Sequence, residues 1–131
     1  MEKLTSISSK WFKWHEFIDS TTAKRLKIDN TPKDPLVVIN LQTLSVGLSF
    51  VRERFGAPII VNSGYRCPEL NKAVGGVAKS RHQDGSAADI RCLTPSQTYE
   101  LYKFLEVAKY PFVRKIIWEQ GPRPWIHFEV I

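Results

Sequence analysis

The sequence is poor in cysteine. Only Cys67 and Cys92 occur among 131 residues. Two cysteines cannot form the multi-bridge framework of a small disulfide-stapled domain, although they allow one bridge in an oxidising compartment. They lack C-x-x-C spacing, which argues against a thiolate zinc site. Their simplest reading is two small, partly buried thiols. Long apolar runs are also missing. The longest is the four residues Leu36 to Ile39, against about 20 for a membrane-spanning helix, so no membrane partner is expected. The opening stretch MEKLTSISSKWFKWHEFIDS has no continuous apolar segment of the kind a secretory signal carries. Blocks of basic residues are absent too. Nineteen Lys and Arg against thirteen Asp and Glu give a net charge of +6, which favours an anionic partner. The charges are scattered, however, and no aromatic-basic motif accompanies them. That argues against a nucleic-acid binder. Histidine is scarce: His15, His82 and His127 are the whole supply.

What is present fits one soluble domain spanning residues 1–131. A chain of this length buries about two-thirds of its unfolded surface and needs no staple. Trp11 to about Leu26 reads as a helix, or as a short helix after an extended lead-in, with Trp14, Phe17 and Ile18 on its apolar face. Asn30 to Pro35 is a proline-bounded loop. Val37, Leu41, Leu44, Leu48, Val51 and Phe55 alternate spacings of four and three, which places them on one face of a long core helix. Pro35 suits its first turn and Gly56 its stop. Pro58 to Asn62 predicts a strand. Pro68 to Val74 predicts a brief helix, and Gly75 to Gly85 a loop. Ala87 to Cys92 predicts a second strand. Thr94, Pro95 and Gln97 open another helix, running to Lys109, as N-cap, first residue and capping-box residue. Val113 to Trp118 and Trp125 to Val130 predict a hairpin around residues 120–124. The expected fold is α+β: a small, largely antiparallel sheet with helices packed on one face.

His82, Asp89 and His127 make a His–Asp–His set. On a tetrahedral zinc ion such a set leaves one position open, as a catalytic zinc requires for water. Small residues and glycine surround His82 and permit close approach. Asp89 stands between Ala88 and Ile90, where an unpaired carboxylate would be costly. With residues 120–124 as the loop, Glu119 faces Trp125 and Ile117 faces His127. Glu119 and His127 are then diagonal neighbours on one face, with Cβ atoms about 7 Å apart. That spacing leaves room for a metal-bound water, whose proton Glu119 can accept. A one-residue slip would turn Glu119 to the other face. Glu129, which shares the alternate face with His127, is the reserve candidate for the base. His15 reads as a surface or helix-packing residue, and Trp118 and Trp125 as hairpin or core residues.

The stretch Ser63-Gly64-Tyr65-Arg66, then Asn71 and Val74-Gly75-Gly76, resembles the zinc D-Ala-D-Ala carboxypeptidases. So do Ser80-x-His82-x-x-Gly85-x-Ala87-x-Asp89 and Trp125-x-His127. The resemblance is closest to the small M15 metallopeptidases of bacteria and their phages, and it runs from about Trp14 to the C-terminus. It implies a Hedgehog/DD-peptidase-like fold, zinc as cofactor, and His82, Asp89 and His127 as its ligands. It implies Arg66 as the group that polarises the scissile carbonyl or holds substrate, with Ser80, Asn71 and Tyr65 as substrate-binding residues. It implies a peptidoglycan stem peptide as substrate. A monomer is expected, and the lack of a secretory signal points to a chain made in the cytoplasm that acts on the cell wall after release, as a phage-encoded enzyme would. Several branches of the family carry their catalytic carboxylate three residues before the last histidine. Pro124 stands there in this chain, which turns attention to Glu119. The rival expectation is a zinc-containing cell-wall-binding or virion structural module without turnover.

Overall fold

The computed structural model describes residues 11–131. The start of the predicted domain, and half of the stretch read for a secretory signal, lie outside those residues.

The longest helix, α3 (Pro35–Phe55), forms where its end signals predict. Asp34 caps it by accepting the Leu36 N–H at 2.9 Å, and Pro35 occupies the first position with φ already set for a helix. Gly56 stops it in the left-handed conformation, donating its N–H to the Arg52 carbonyl. Val37, Leu41, Leu44, Leu48 and Val51 are buried along one stripe. Phe55 is half-buried against Phe104, with ring centroids 5.4 Å apart. By length and composition alone α3 could cross a membrane. Counting uninterrupted apolar residues hides this, because single Asn, Gln, Thr, Ser and Gly residues break the runs without making the helix polar. Its buried stripe belongs to the core of this domain.

The N-terminal segment forms two short helices rather than one: α1 (Trp14–Ile18) and α2 (Thr21–Leu26). The break falls at Asp19 and Ser20. Ser20 adopts an extended backbone and its Oγ accepts the Ala23 N–H at 3.1 Å, so the serine starts a new helix instead of continuing the old one.

The sheet has four strands, β1 (Ile60–Ser63), β2 (Ala87–Arg91), β3 (Val113–Glu119) and β4 (Trp125–Val130), in the order β1-β2-β4-β3, with every pairing antiparallel. Between β1 and β2 lie α4 (Pro68–Ala73) and, inside the segment expected to be loop, a 3₁₀ turn over Arg81–Asp84. Helix α5 (Pro95–Ala108) links β2 to β3, and Thr94 Oγ1 accepts the Gln97 N–H as its cap. Alternation along β2 and β4 sends Ala88, Ile90, Ile126, Phe128 and Val130 into the core with α3 and α5 residues. Asp89, His127 and Glu129 therefore fall on the opposite face. Both cysteines are free; Cys92 is buried and Cys67 half-buried.

Candidate metal centre and cleft

Asp89 on β2 lies directly opposite His127 on β4, on the sheet face away from the helices. His82 reaches them from the 3₁₀ turn. Ser80 Oγ accepts the His82 backbone N–H at 3.1 Å and starts that turn. Gly85 ends it at φ +84. A Cβ on Gly85 would also lie 2.7 Å from the Val37 carbonyl oxygen, so the close seat on α3 requires glycine. The S-x-H-x-x-G spacing thus encodes a capped turn that delivers one histidine to the sheet.

Hydrogen bonds fix which ring nitrogen faces the centre. His82 Nδ1 lies 2.7 Å from the Gly64 carbonyl oxygen. A carbonyl only accepts, so Nδ1 carries the proton and Nε2 presents a lone pair. His127 Nε2 lies 2.6 Å from Glu129 Oε2, and its Nδ1 lies 3.2 Å from Asp89 Oδ1. His82 Nε2 is 3.3 Å from the same Asp89 oxygen, outside hydrogen-bonding geometry. Among the described residues it is the one buried side-chain nitrogen or oxygen left without a hydrogen-bond partner. The His82 side chain is only 2% exposed, so water cannot easily satisfy it. One ligand atom from each of His82, Asp89 and His127 lies within 4.8 Å of the others. Three electron-pair donors converging on one point repel one another unless a cation or proton sits between them. The residues therefore fit a metal ion, and two imidazoles with one carboxylate suit zinc.

The electrostatics of the metal-free residues follow the same logic. Burial would raise the Asp89 pKa, but its contacts with His127 and His82 outweigh that and hold it well below the carboxylate range. Burial would lower the His127 pKa, and Asp89 and Glu129 together raise it instead.

A cleft of about 630 Å³ opens above His82, Asp89 and His127, lined by Arg66, Ser80, Glu119 and Trp125 among others. Glu119 sits at the end of β3, opposite Trp125, and Ile117 opposes His127. The hairpin register inferred from the loop length is the register observed. Glu129 also lines the cleft, but both of its carboxylate oxygens are occupied, one by His127 and one by Arg114 Nη1 at 2.6 Å.

Arg66 is held from three sides. Its Nε donates to Ser63 Oγ at 3.3 Å, Nη1 donates to Asn71 Oδ1 at 3.0 Å, and Nη2 lies 3.5 Å from Asp89 Oδ2. Asn71 is buried, and its Nδ2 donates to the Val77 carbonyl at 2.8 Å, so it braces Arg66 and the loop rather than lining the cleft. Gly76 makes this possible: a Cβ there would fall 2.1 Å from Asn71 Oδ1 and 2.6 Å from Arg66 Nη1. Tyr65 is not brought to the cleft. It is 8% exposed, belongs to the hydrophobic core, and faces a separate hollow beside Ser20 and Asn62. Both residues lie past the end of β1, and their backbones are tied to different partners: the Tyr65 N–H donates to the Phe17 carbonyl and the Arg66 N–H to the His82 carbonyl. Ser80 lines the cleft, with its hydroxyl engaged as the turn cap. His15 is exposed and pairs with Asp19.

Asn30 has a structural role that sequence reading missed. Its Nδ2 donates to the Ile18 and Tyr65 carbonyls, each at 2.9 Å, and its Oδ1 accepts the Cys67 N–H at 2.8 Å. It ties the 27–34 loop to both residues flanking Arg66. In a proline-rich loop, such an asparagine looks like an ordinary turn residue.

An α+β domain with a His–Asp–His centre open to a cleft is the arrangement of a mononuclear metallohydrolase. The Peptidase M15 family model matches residues 10–127, and the chain belongs to that family of metallopeptidases. A comparison with curated proteins found no match.

Proposed function

We propose that the chain is a zinc peptidase that hydrolyses peptidoglycan stem peptides carrying D-amino acids, as a D-Ala-D-Ala carboxypeptidase or an endopeptidase. The observation that carries this reading is the convergence of His82 Nε2, His127 Nδ1 and Asp89 Oδ1 beneath an open cleft. Zinc held by these three residues would supply a Lewis acid for the scissile carbonyl and lower the pKa of a water. Glu119 is the general base. It takes a proton from the attacking water and returns it to the leaving amine nitrogen as the C–N bond breaks. Arg66 is anchored by Ser63 and Asn71 and stays charged, so it offers a fixed cation to the oxygen that becomes negative. Ser80 and the cleft walls contact substrate.

All of these residues come from one chain, so a monomer suffices. The net charge of +6 suits an anionic cell wall. That substrate lies outside the cytoplasm, so the proposed site of action is the cell wall. The test is turnover of purified muropeptides by zinc-loaded protein, with and without chelator. Chelator-sensitive release of D-Ala or of a cleaved stem peptide is expected. A zinc-bound parent that is inert on a broad muropeptide panel would instead favour a non-catalytic wall-binding module, the reading that Pro124 keeps open.

A further inference from the structure

Glu129 is more than a spare carboxylate near the site. It is 5% exposed, and its two oxygens are spoken for: Oε2 lies 2.6 Å from His127 Nε2 and Oε1 accepts from Arg114 Nη1 at 2.6 Å. The contact with His127 is on the ring nitrogen that faces away from Asp89. The chain builds this arrangement deliberately in its backbone. Val113 pairs with Val130 and Lys115 pairs with Glu129, so the register shifts between them and Arg114 is the extra residue of a β-bulge. Without the bulge, strict alternation would send Arg114 and Lys115 to opposite faces. With it, both line the cleft, and the Arg114 guanidinium reaches the Glu129 carboxylate. On the other flank, the β2 residue opposite Glu129 is Ala87, a fully buried residue small enough to leave the carboxylate room.

We propose that Glu129, clamped by Arg114, is a positioning residue for the metal centre. Its carboxylate holds the proton of His127 on Nε2 and so keeps the Nδ1 lone pair turned toward His82 and Asp89. A metal-ligating imidazole needs its second nitrogen engaged to fix tautomer and ring orientation. The Gly64 carbonyl does this for His82, and the Glu129–Arg114 pair does it for His127. The two ligands are thus oriented by different means, a neutral backbone acceptor on one and an ion pair on the other. This assignment rests on the zinc peptidase reading and takes Glu129 out of the running as the base.

The test measures zinc affinity by competition with a chromophoric chelator, alongside the His127 ring-nitrogen NMR shifts of the zinc-loaded protein. Glu129→Ala is expected to bind zinc ~10–100-fold more weakly than the parent, the usual loss for such an outer contact. Glu129→Gln keeps an acceptor oxygen for Nε2–H and should recover part of that loss. Arg114→Ala should weaken zinc only a few-fold, since the carboxylate remains but is less firmly held. The parent should show a proton on His127 Nε2. Unchanged affinity and an unchanged tautomer in folded Glu129→Ala would overturn the proposal while leaving the zinc peptidase reading intact. Glu129→Gln with parent zinc affinity and no turnover would overturn it in favour of Glu129 as base. A parent that takes up no zinc would overturn both.

Discussion

The two faces of the sheet are made from alternate residues of the same strands, and they are organised by different physics. On the face beneath the helices, Ala88, Ile90, Ile126 and Phe128 are all 0% exposed and apolar. On the other face, Asp89, His127 and Glu129 are also largely shielded, with side chains 15%, 15% and 7% exposed. There, burial is offset group by group: Asp89 against two histidines and Arg66, Glu129 against His127 and Arg114. Apolar contacts are non-directional and tolerate neighbours of similar volume. Polar groups shielded from water need particular partners at particular atoms. One face therefore secures the fold and the other carries the proposed chemistry. The comparison predicts that damage to one face should leave the other's property largely untouched.

The largest effect on the apolar side should come from Leu48→Ala. Leu48 is 0% exposed in the middle of α3, and its truncation should cost about 2–5 kcal/mol of stability. Chemical denaturation measures that cost, and the zinc affinity of the folded fraction should remain that of the parent. On the polar side, Glu119→Gln should lower kcat on a muropeptide by about a hundredfold or more, roughly 2.7 kcal/mol in the barrier, with KM, zinc content and thermal midpoint little changed. Equal loss of stability and activity in either variant would blur the distinction between the faces. A smaller effect is expected at the end of α3: Asp34→Ala removes the cap that accepts the Leu36 N–H and should cost about 1 kcal/mol of stability, again without touching turnover per folded molecule. Smallest of all should be the change in secondary structure on metal removal. The core cluster contains none of His82, Asp89 and His127, so chelated protein should keep its far-ultraviolet circular dichroism, unlike a zinc finger.

The sequence made the larger features legible where a periodic signal and a boundary signal agreed. Six apolar residues at helical spacing between Pro35 and Gly56 located α3, and Thr94-Pro95 located the start of α5. The five-residue gap between two alternating stretches was enough to set the β3–β4 register and hence the face of Glu119. The three proposed ligands were visible as a His–Asp–His set within the motif Ser80-x-His82-x-x-Gly85-x-Ala87-x-Asp89 and Trp125-x-His127, although the turn that carries His82 read only as loop. What stayed hidden depends on a side chain overriding a pattern. Ser20 divides an otherwise helical stretch by capping a new helix. Tyr65 neighbours Arg66 in the motif, yet it bonds to the Phe17 carbonyl and is buried in the core. Arg114 reaches Glu129 only because a bulge breaks the period of two, and no composition or spacing announces a bulge. Asn30 bonds across the fold to groups that are distant in sequence.

The central claim is that His82, Asp89 and His127 hold a single catalytic zinc. Elemental analysis of protein reconstituted with zinc and freed of excess metal tests it most directly, comparing the parent with His82→Ala and His127→Ala. One zinc per parent chain and loss of tight binding in each variant are expected, with circular dichroism showing that both still fold. One tightly held zinc in both folded variants, as in the parent, would contradict it.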